Sequence, residues 1–243
     1  MGGNDMALFT LRFRTAIIIS IMGLFISFSL STEVNAMKKT KHIILLGASV
    51  GEAWKIEDLP RRQSVDGYQF EYFMKGGFDK SEPLKQILDR KDNKPDAVFI
   101  KECAAYFPGD LPKYQELMKG WVTQCKQAGV IPIPTTVVPV IKDLPLKTRL
   151  KDLIKWVIGR PTQGSIHTLR LTGILEYNDW IKSYARKEGL VVLDLETPLH
   201  VSKEDRSLRL DLHSGDGLHL NEKAYAFLDK IVITTLEKAF EKK

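Results

Sequence analysis

His42-Ile43-Ile44-Leu45-Leu46-Gly47-Ala48-Ser49-Val50-Gly51 contains four unbroken apolar residues, Ile43 to Leu46. A strand with one wet face alternates apolar and polar side chains, whereas an unbroken run belongs to a strand covered on both faces, the usual state of a parallel sheet. Gly47 ends the run. Gly47-Ala48-Ser49-Val50-Gly51 then has the G-x-S-x-G spacing of an elbow where a strand turns into a helix and presents a Ser hydroxyl above the sheet. Small residues after a strand are also ordinary turn material, so a nucleophilic Ser49 requires partners elsewhere in the chain.

The chain beyond this stretch supplies the sheet. Gly67 to Met74 alternates as a strand and is followed by Gly76-Gly77; a helix spans about Glu82 to Arg90; Ala97 to Cys103 is a third strand and Lys113 to Ala128 its helix. Val130-Ile131-Pro132-Ile133, continuing toward Val137-Val138, is the fourth strand. Thr172 to Lys187 is a helix, Leu190 to Asp194 a fifth strand, and Asn221 to Phe240 a closing helix. Five strands interleaved with helices predict an α/β fold whose five-stranded parallel sheet is covered on both faces. Ligands of such sheets bind outside the carboxyl ends of the strands, so the residues that follow each strand are the candidates for a site.

Two segments fall outside this alternation. Thr15 to Thr32 carries no charge, follows Arg12 and Arg14, and leads to Val34-Asn35-Ala36, the small-residue pattern of a signal peptidase site. Residues 1–36 are expected to be a signal peptide cleaved before Met37, which makes the protein exported, periplasmic or secreted; an uncleaved membrane anchor is the alternative. The uncharged run holds four Ser and two Thr and falls short of the ~20 apolar residues that span a bilayer, which favours cleavage. Ile141 to Thr168 carries Lys142, Lys147, Arg149, Lys151, Lys155 and Arg160 among Leu146, Leu150, Leu153, Ile154 and Val157. It is expected to be an inserted amphipathic segment at the rim of the site, either capping substrate, resting on an anionic surface, or solvating its lysines.

Across 243 residues, 36 Lys+Arg face 30 Asp+Glu, 44% of residues are hydrophobic and only two are Cys, which excludes disordered, collagenous and disulfide-stapled classes. Residues 1–36 hold two Arg, one Asp and one Glu, so the whole net charge of +6 belongs to residues 37–243, expected to form one domain. Dispersed lysines and the lack of a binding motif argue against nucleic acid; the basic charge suits an anionic envelope surface or acidic polysaccharide. Cys103 at the end of a strand and Cys125 near the far end of the next helix are expected to be separate thiols, because a disulfide needs Cα atoms within ~7 Å.

Asp216-Gly217-Leu218-His219, just before the last helix, supplies what Ser49 lacks. A Ser nucleophile needs a base to take its proton, and the base needs a carboxylate to hold its tautomer and steady its charge. Ser49 on the first strand of the chain argues against an α/β-hydrolase, whose elbow comes after several strands. A nucleophile after the first strand and Asp-x-x-His before the last helix, with Asp216-Gly-Leu-His-Leu-Asn-Glu-Lys-Ala-Tyr, Glu176-Tyr-Asn-Asp-Trp, Tyr184-Ala185 and Leu190-Val-Val-Leu-Asp-Leu, resemble the SGNH (GDSL) hydrolase family over about Lys41 to Phe240.

The resemblance implies a flavodoxin-like three-layer sandwich with Ser49 as nucleophile, His219 as general base and Asp216 as its orienting partner. It implies an oxyanion hole built from the Ser49 amide, a Gly after the second strand, for which Gly77 is the candidate and Gly76 its competitor, and an Asn after the third. That Asn is absent: Lys101-Glu102-Cys103-Ala104-Ala105-Tyr106 places Ala105 there, and Ala48 stands where an Asp commonly precedes the nucleophile. Losing one such donor costs about 10²–10³ in rate. The amide at Glu102 or Cys103 is a candidate replacement, and Glu102 and Cys103 are candidate substrate contacts.

The expected activity is hydrolysis of a carboxylic ester of a lipid or acetylated glycan through an acyl-enzyme, with no cofactor and no metal. A non-catalytic or acyl-transferring envelope protein of the same fold, binding glycan or lipid, is the alternative. A third reading takes Asp211, His213, Asp216 and His219 as metal ligands.

Overall fold

The computed structural model describes residues 39–142 and 163–242, with Ile154 and Val157 between them. The expected signal peptide at 1–36 and most of the expected inserted segment at 141–168 lie outside the described residues. Strands β1 (Lys41–Gly47), β2 (Tyr68–Met74), β3 (Ala97–Ile100) and β4 (Ile131–Pro134) form a parallel sheet in the order β2-β1-β3-β4. The described helices are α1 (Ser49–Trp54), α2 (Leu59–Gln63), α3 (Ser81–Leu88), α4 (Leu111–Gln127), α5 (Gln163–Lys187) and α6 (Glu222–Glu241). Side chains set two of the starts: Asp110 accepts the N–H of Lys113 ahead of α4, and Asn221 that of Ala224 ahead of α6.

The central place of β1 explains its unbroken apolar run. Ile43 and Leu45 join one apolar cluster with Val50 and Trp54 of α1 and Leu228, Val232 and Leu236 of α6. Ile44 and Leu46 join another with Leu84 of α3, Trp121 of α4 and Ile174 and Tyr177 of α5. Successive strand residues point to opposite faces, so a strand buried on both has no polar position to show.

The sheet has four strands where the sequence predicts five. The expected fifth strand at Leu190 to Asp194 touches the sheet edge only through a parallel bridge between Leu193 and Thr135. Prolines in β4 supply the reason. The N–H groups of Ile131 and Thr135 face β3, bonding to Asp96 and Ile100, so residues 132, 134 and 136 face outward. Pro132 and Pro134 have no N–H, which leaves the Leu193 N–H bonding to the Pro134 carbonyl at 3.0 Å and the Thr136 N–H to Leu193 at 3.1 Å.

β3 also ends early, at Ile100 rather than Cys103: a 3₁₀ turn at Ala104–Tyr106 follows, and the side chains of Lys101 and Glu102 are buried. Cys103 and Cys125 are free and buried.

Candidate active site

The register of the sheet levels the carboxyl ends of three strands. Gly47 of β1 pairs with Met74 of β2, and Leu46 with Ile100 of β3. The Lys75 N–H reaches the Gly47 carbonyl at 2.6 Å and the Lys101 N–H the Leu46 carbonyl at 2.9 Å. Ser49 therefore stands between the loop after β2 and the loop after β3. Ala48 is extended and Ser49 begins α1, the abrupt strand-to-helix change the spacing predicts. Gly51 lets α1 lie close: a Cβ there would sit 2.6 Å from the Tyr72 ring.

The loop before α6 faces Ser49 from the other side. Ser49 Oγ lies 3.1 Å from His219 Nε2, and His219 Nδ1 lies 2.5 Å from Asp216 Oδ2. A carboxylate only accepts, so Nδ1 carries the proton and Nε2 is left to accept from the Ser49 hydroxyl. Asp216 is fixed by its other oxygen, which accepts the N–H of Leu218 at 2.9 Å and of His219 at 2.8 Å. Burial raises the Asp216 carboxyl, but the hydrogen bonds from the His219 ring and from the two amides prevail and bring it down to about 2.

That depression has a sign for stability. The unfolded carboxyl titrates near ~3.9, so the stabilisation is whole above that pH and is lost as pH falls through about 2. Asp216→Asn is expected to flatten the loss of thermal stability between pH 5 and pH 2, read by circular dichroism melts at each pH on the order of one unit apart. Gly217 carries a second expectation. Its φ of 77° is a left-handed conformation, and a Cβ would meet the Ile141 side chain at 2.5 Å. Gly217→Ala is expected to cost about 1–2 kcal/mol, measured by thermal unfolding.

Gly76 and Gly77 follow β2 on the flank of Ser49. Gly77 has φ 79°, a conformation that favours Gly, whereas Gly76 has no positive φ. The Gly77 carbonyl accepts from Lys80 Nζ at 3.3 Å, as does the Phe78 carbonyl. Lys80 Nζ also bonds to Glu102 Oε2 at 2.5 Å, and both side chains are fully buried. Burial pushes the Glu102 carboxyl up to about 7, with Lys80 pulling the other way; burial likewise brings Lys101 down to about 8. Glu102 and Cys103, candidate substrate contacts on sequence grounds, have buried side chains, and that of Glu102 turns inward to Lys80. Ala105 is exposed and offers no side-chain donor. Lys80 escapes a sequence reading because a Lys beside a helix start looks like a solvated charge.

The residues of the metal reading are engaged separately. Asp211 bonds to Arg209 and Lys223, and His213 Nδ1 accepts the N–H of Gly215 at 2.9 Å. Among the described residues no group of three or more His, Cys, Asp or Glu converges to hold a metal ion.

No family model and no curated protein matches the chain. Solved structures do. A GDSL-like lipase from Bacteroides thetaiotaomicron has a TM-score of 0.57 at 17% identity, covering 82% of this chain and 89% of that one. A catalytic mutant of an acetylxylan esterase from Geobacillus stearothermophilus has a TM-score of 0.56 at 12% identity, covering 82% and 96%. The acetyl xylan esterase AlAXEase has a TM-score of 0.56 at 15% identity, covering 80% and 99%. With the parallel sheet and the helices that follow its strands, these likenesses establish that the chain has the fold of the SGNH (GDSL) hydrolases.

Proposed function

We propose that this protein is an exported serine hydrolase that cleaves a carboxylic ester of a glycan or lipid through an acyl-enzyme. The observation that supports the reading is the continuous line of Ser49 Oγ, His219 Nε2, His219 Nδ1 and Asp216 Oδ2, at 3.1 and 2.5 Å, at the carboxyl end of the central strand. Such a line is what moving a proton off a nucleophile requires. The substrate class follows from proteins of like fold, which include a lipase and acetylxylan esterases. We read the fold in its finer detail as a flavodoxin-like three-layer sandwich in one domain. The uncharged run at residues 15–32 supports the reading as an exported enzyme, and the +6 charge is what an anionic envelope polymer would attract.

Ser49 Oγ attacks the ester carbonyl carbon as its proton passes to His219 Nε2, and the carbonyl electron pair moves onto oxygen. Asp216 steadies the imidazolium without taking its proton. Collapse of the tetrahedral intermediate expels the alkoxide, which takes the proton from His219 and leaves as the alcohol. Water then attacks the acyl-Ser49 by the same route and the acid is released. An acceptor alcohol in place of water would make the reaction an acyl transfer. The Ser49 amide is the first backbone donor to the oxyanion in this reading, and Gly77, with Gly76 its competitor, is the candidate for the second.

Labelling of the mature protein with a fluorophosphonate probe tests the reading. Wild type is expected to label, and Ser49→Ala and His219→Ala are not. A folded wild type that fails to label, or labelling that survives Ser49→Ala, returns the chain to a non-catalytic binding role.

A further inference from the structure

Ser49 and His219 lie 170 positions apart in the chain, yet a proton passes between them only while Oγ and Nε2 stay within hydrogen-bond reach, 3.1 Å in this fold. The nucleophile's side does not hold that reach by itself. α1, which begins at Ser49, is six residues long with no side chain capping its start, too short to be stable alone. Its direction is set by what it touches.

α6 meets it near both ends. The Tyr225 phenol donates to the carbonyl of Val50, the residue after Ser49, at 3.1 Å, and this bond is buried. The Tyr225 ring stacks on Trp54, the last residue of α1, with 6.3 Å between centroids. One turn further along α6, Asp229 Oδ1 accepts from Trp54 Nε1 at 2.7 Å. Arg62 grips the same carboxylate through Nε at 2.7 Å and Nη2 at 2.9 Å, and its Nη1 donates at 2.8 Å to the Lys55 carbonyl just past α1. Burial pushes the Tyr225 phenol up, so its proton stays in place to be donated.

α6 also supports His219. Asn221 caps this helix by accepting the Ala224 N–H at 3.1 Å, while its Nδ2 donates to the Asp211 carbonyl at 2.9 Å and the His213 carbonyl at 3.3 Å. The Ser214 N–H closes the loop on the His219 carbonyl at 2.8 Å. The loop that carries Asp216 and His219 is thereby fixed to the start of α6, one turn before Tyr225. Through Tyr225 the same helix reaches the residue beside the nucleophile.

We propose that Tyr225 is a positioning residue: by holding the Val50 carbonyl it fixes α1 to the helix that carries the His219 loop, and so sets the reach between Ser49 Oγ and His219 Nε2. The proposal rests on the serine hydrolase reading above. Tyr225 touches no reacting atom and takes no part in the proton transfer. Trp54 and Asp229 brace the far end of α1 to the same helix.

Tyr225→Phe removes the hydroxyl and keeps the ring against Trp54. With p-nitrophenyl acetate, kcat per active site, counted by fluorophosphonate titration, is expected to fall about 10- to 10²-fold while KM holds, the scale on which a displacement of about 1 Å acts. Thr235→Val is the comparison on the same helix: its hydroxyl bonds within α6, to the Ile231 carbonyl at 2.7 Å, so kcat per site is expected to match wild type. A purely structural role for Tyr225 lowers the melting temperature and the number of titrated sites but leaves kcat per site alone. That result overturns the proposal, as does a loss carried by KM. Trp54→Phe removes the donor to Asp229 and is expected to lower kcat per site in the same direction; if Tyr225→Phe does not fold, an unchanged kcat per site in Trp54→Phe overturns the proposal instead. Wild type that labels and turns over beside an undiminished Tyr225→Phe refutes only this inference; a wild type that neither labels nor turns over refutes the hydrolase reading and this one with it.

Discussion

Ser49→Ala is expected to lower turnover of an activated ester by about 10⁶-fold, and His219→Ala by a similar factor, the scale on which removing a nucleophile or its base acts in serine hydrolases. The expectation has a sharper form in the double variant. In the proposed mechanism Ser49 Oγ and His219 Nε2, 3.1 Å apart, exchange one proton, so neither would work without the other. Ser49→Ala/His219→Ala should be no slower than Ser49→Ala alone, leaving the residual rate due to binding and the oxyanion donors. Asp216→Asn should cost less, about 10⁴-fold, since an amide that donates to Nδ1 holds the wrong tautomer while Ser49 and His219 persist. Rates of the four variants on p-nitrophenyl acetate decide the matter, and losses that multiply in the double variant would show that the groups act independently.

Lys80→Met is the variant with the largest expected effect on stability. Lys80 and Glu102 are wholly buried, and their bond at 2.5 Å joins the loop after β2 to the end of β3. Removing one member of such a pair leaves the other buried without its partner, at a cost of about 3–5 kcal/mol. For a chain of this size that corresponds to a fall in melting temperature on the order of 10 °C. Lys80→Met/Glu102→Leu removes both charges and should be more stable than Lys80→Met, because the orphaned carboxyl is gone. Yet it also frees the Gly77 and Phe78 carbonyls that Lys80 holds, so the double variant should regain stability while its esterase activity stays low. Thermal melts and turnover measured on the same samples separate the two. A double variant no more stable than the single would mean that the pair is not the source of the loss.

Glu102 shows how a residue's place in the fold can follow from the sequence while its contacts do not. Its position at the carboxyl end of β3 follows from the sequence, since Pro95-Asp96 opens a short apolar strand and the residues after it must lie at the rim. That its carboxylate turns inward does not, because its partner Lys80 is twenty-two positions away in the chain and meets it only after β2 and β3 have taken their places beside β1.

The sequence by itself determined the central strand, the elbow that carries Ser49 and the pairing of Asp216 with His219. Burial on both faces writes an unbroken apolar run, a sharp turn into a helix calls for small residues around Ser49, and three-residue spacing lets Asp216 hold the amide and ring of His219 within one loop. All three are local consequences of backbone geometry. Tertiary structure decided which edge of β4 is exposed to the segment at residues 190–194, and therefore that Pro132 and Pro134 remove the donors a fifth strand would need. It also decided that the Glu102 carboxylate turns inward to Lys80. Both depend on pairings between segments far apart in the chain, where the free energy of contact is settled by the packing of the sheet as a whole and leaves no periodic trace in either segment alone.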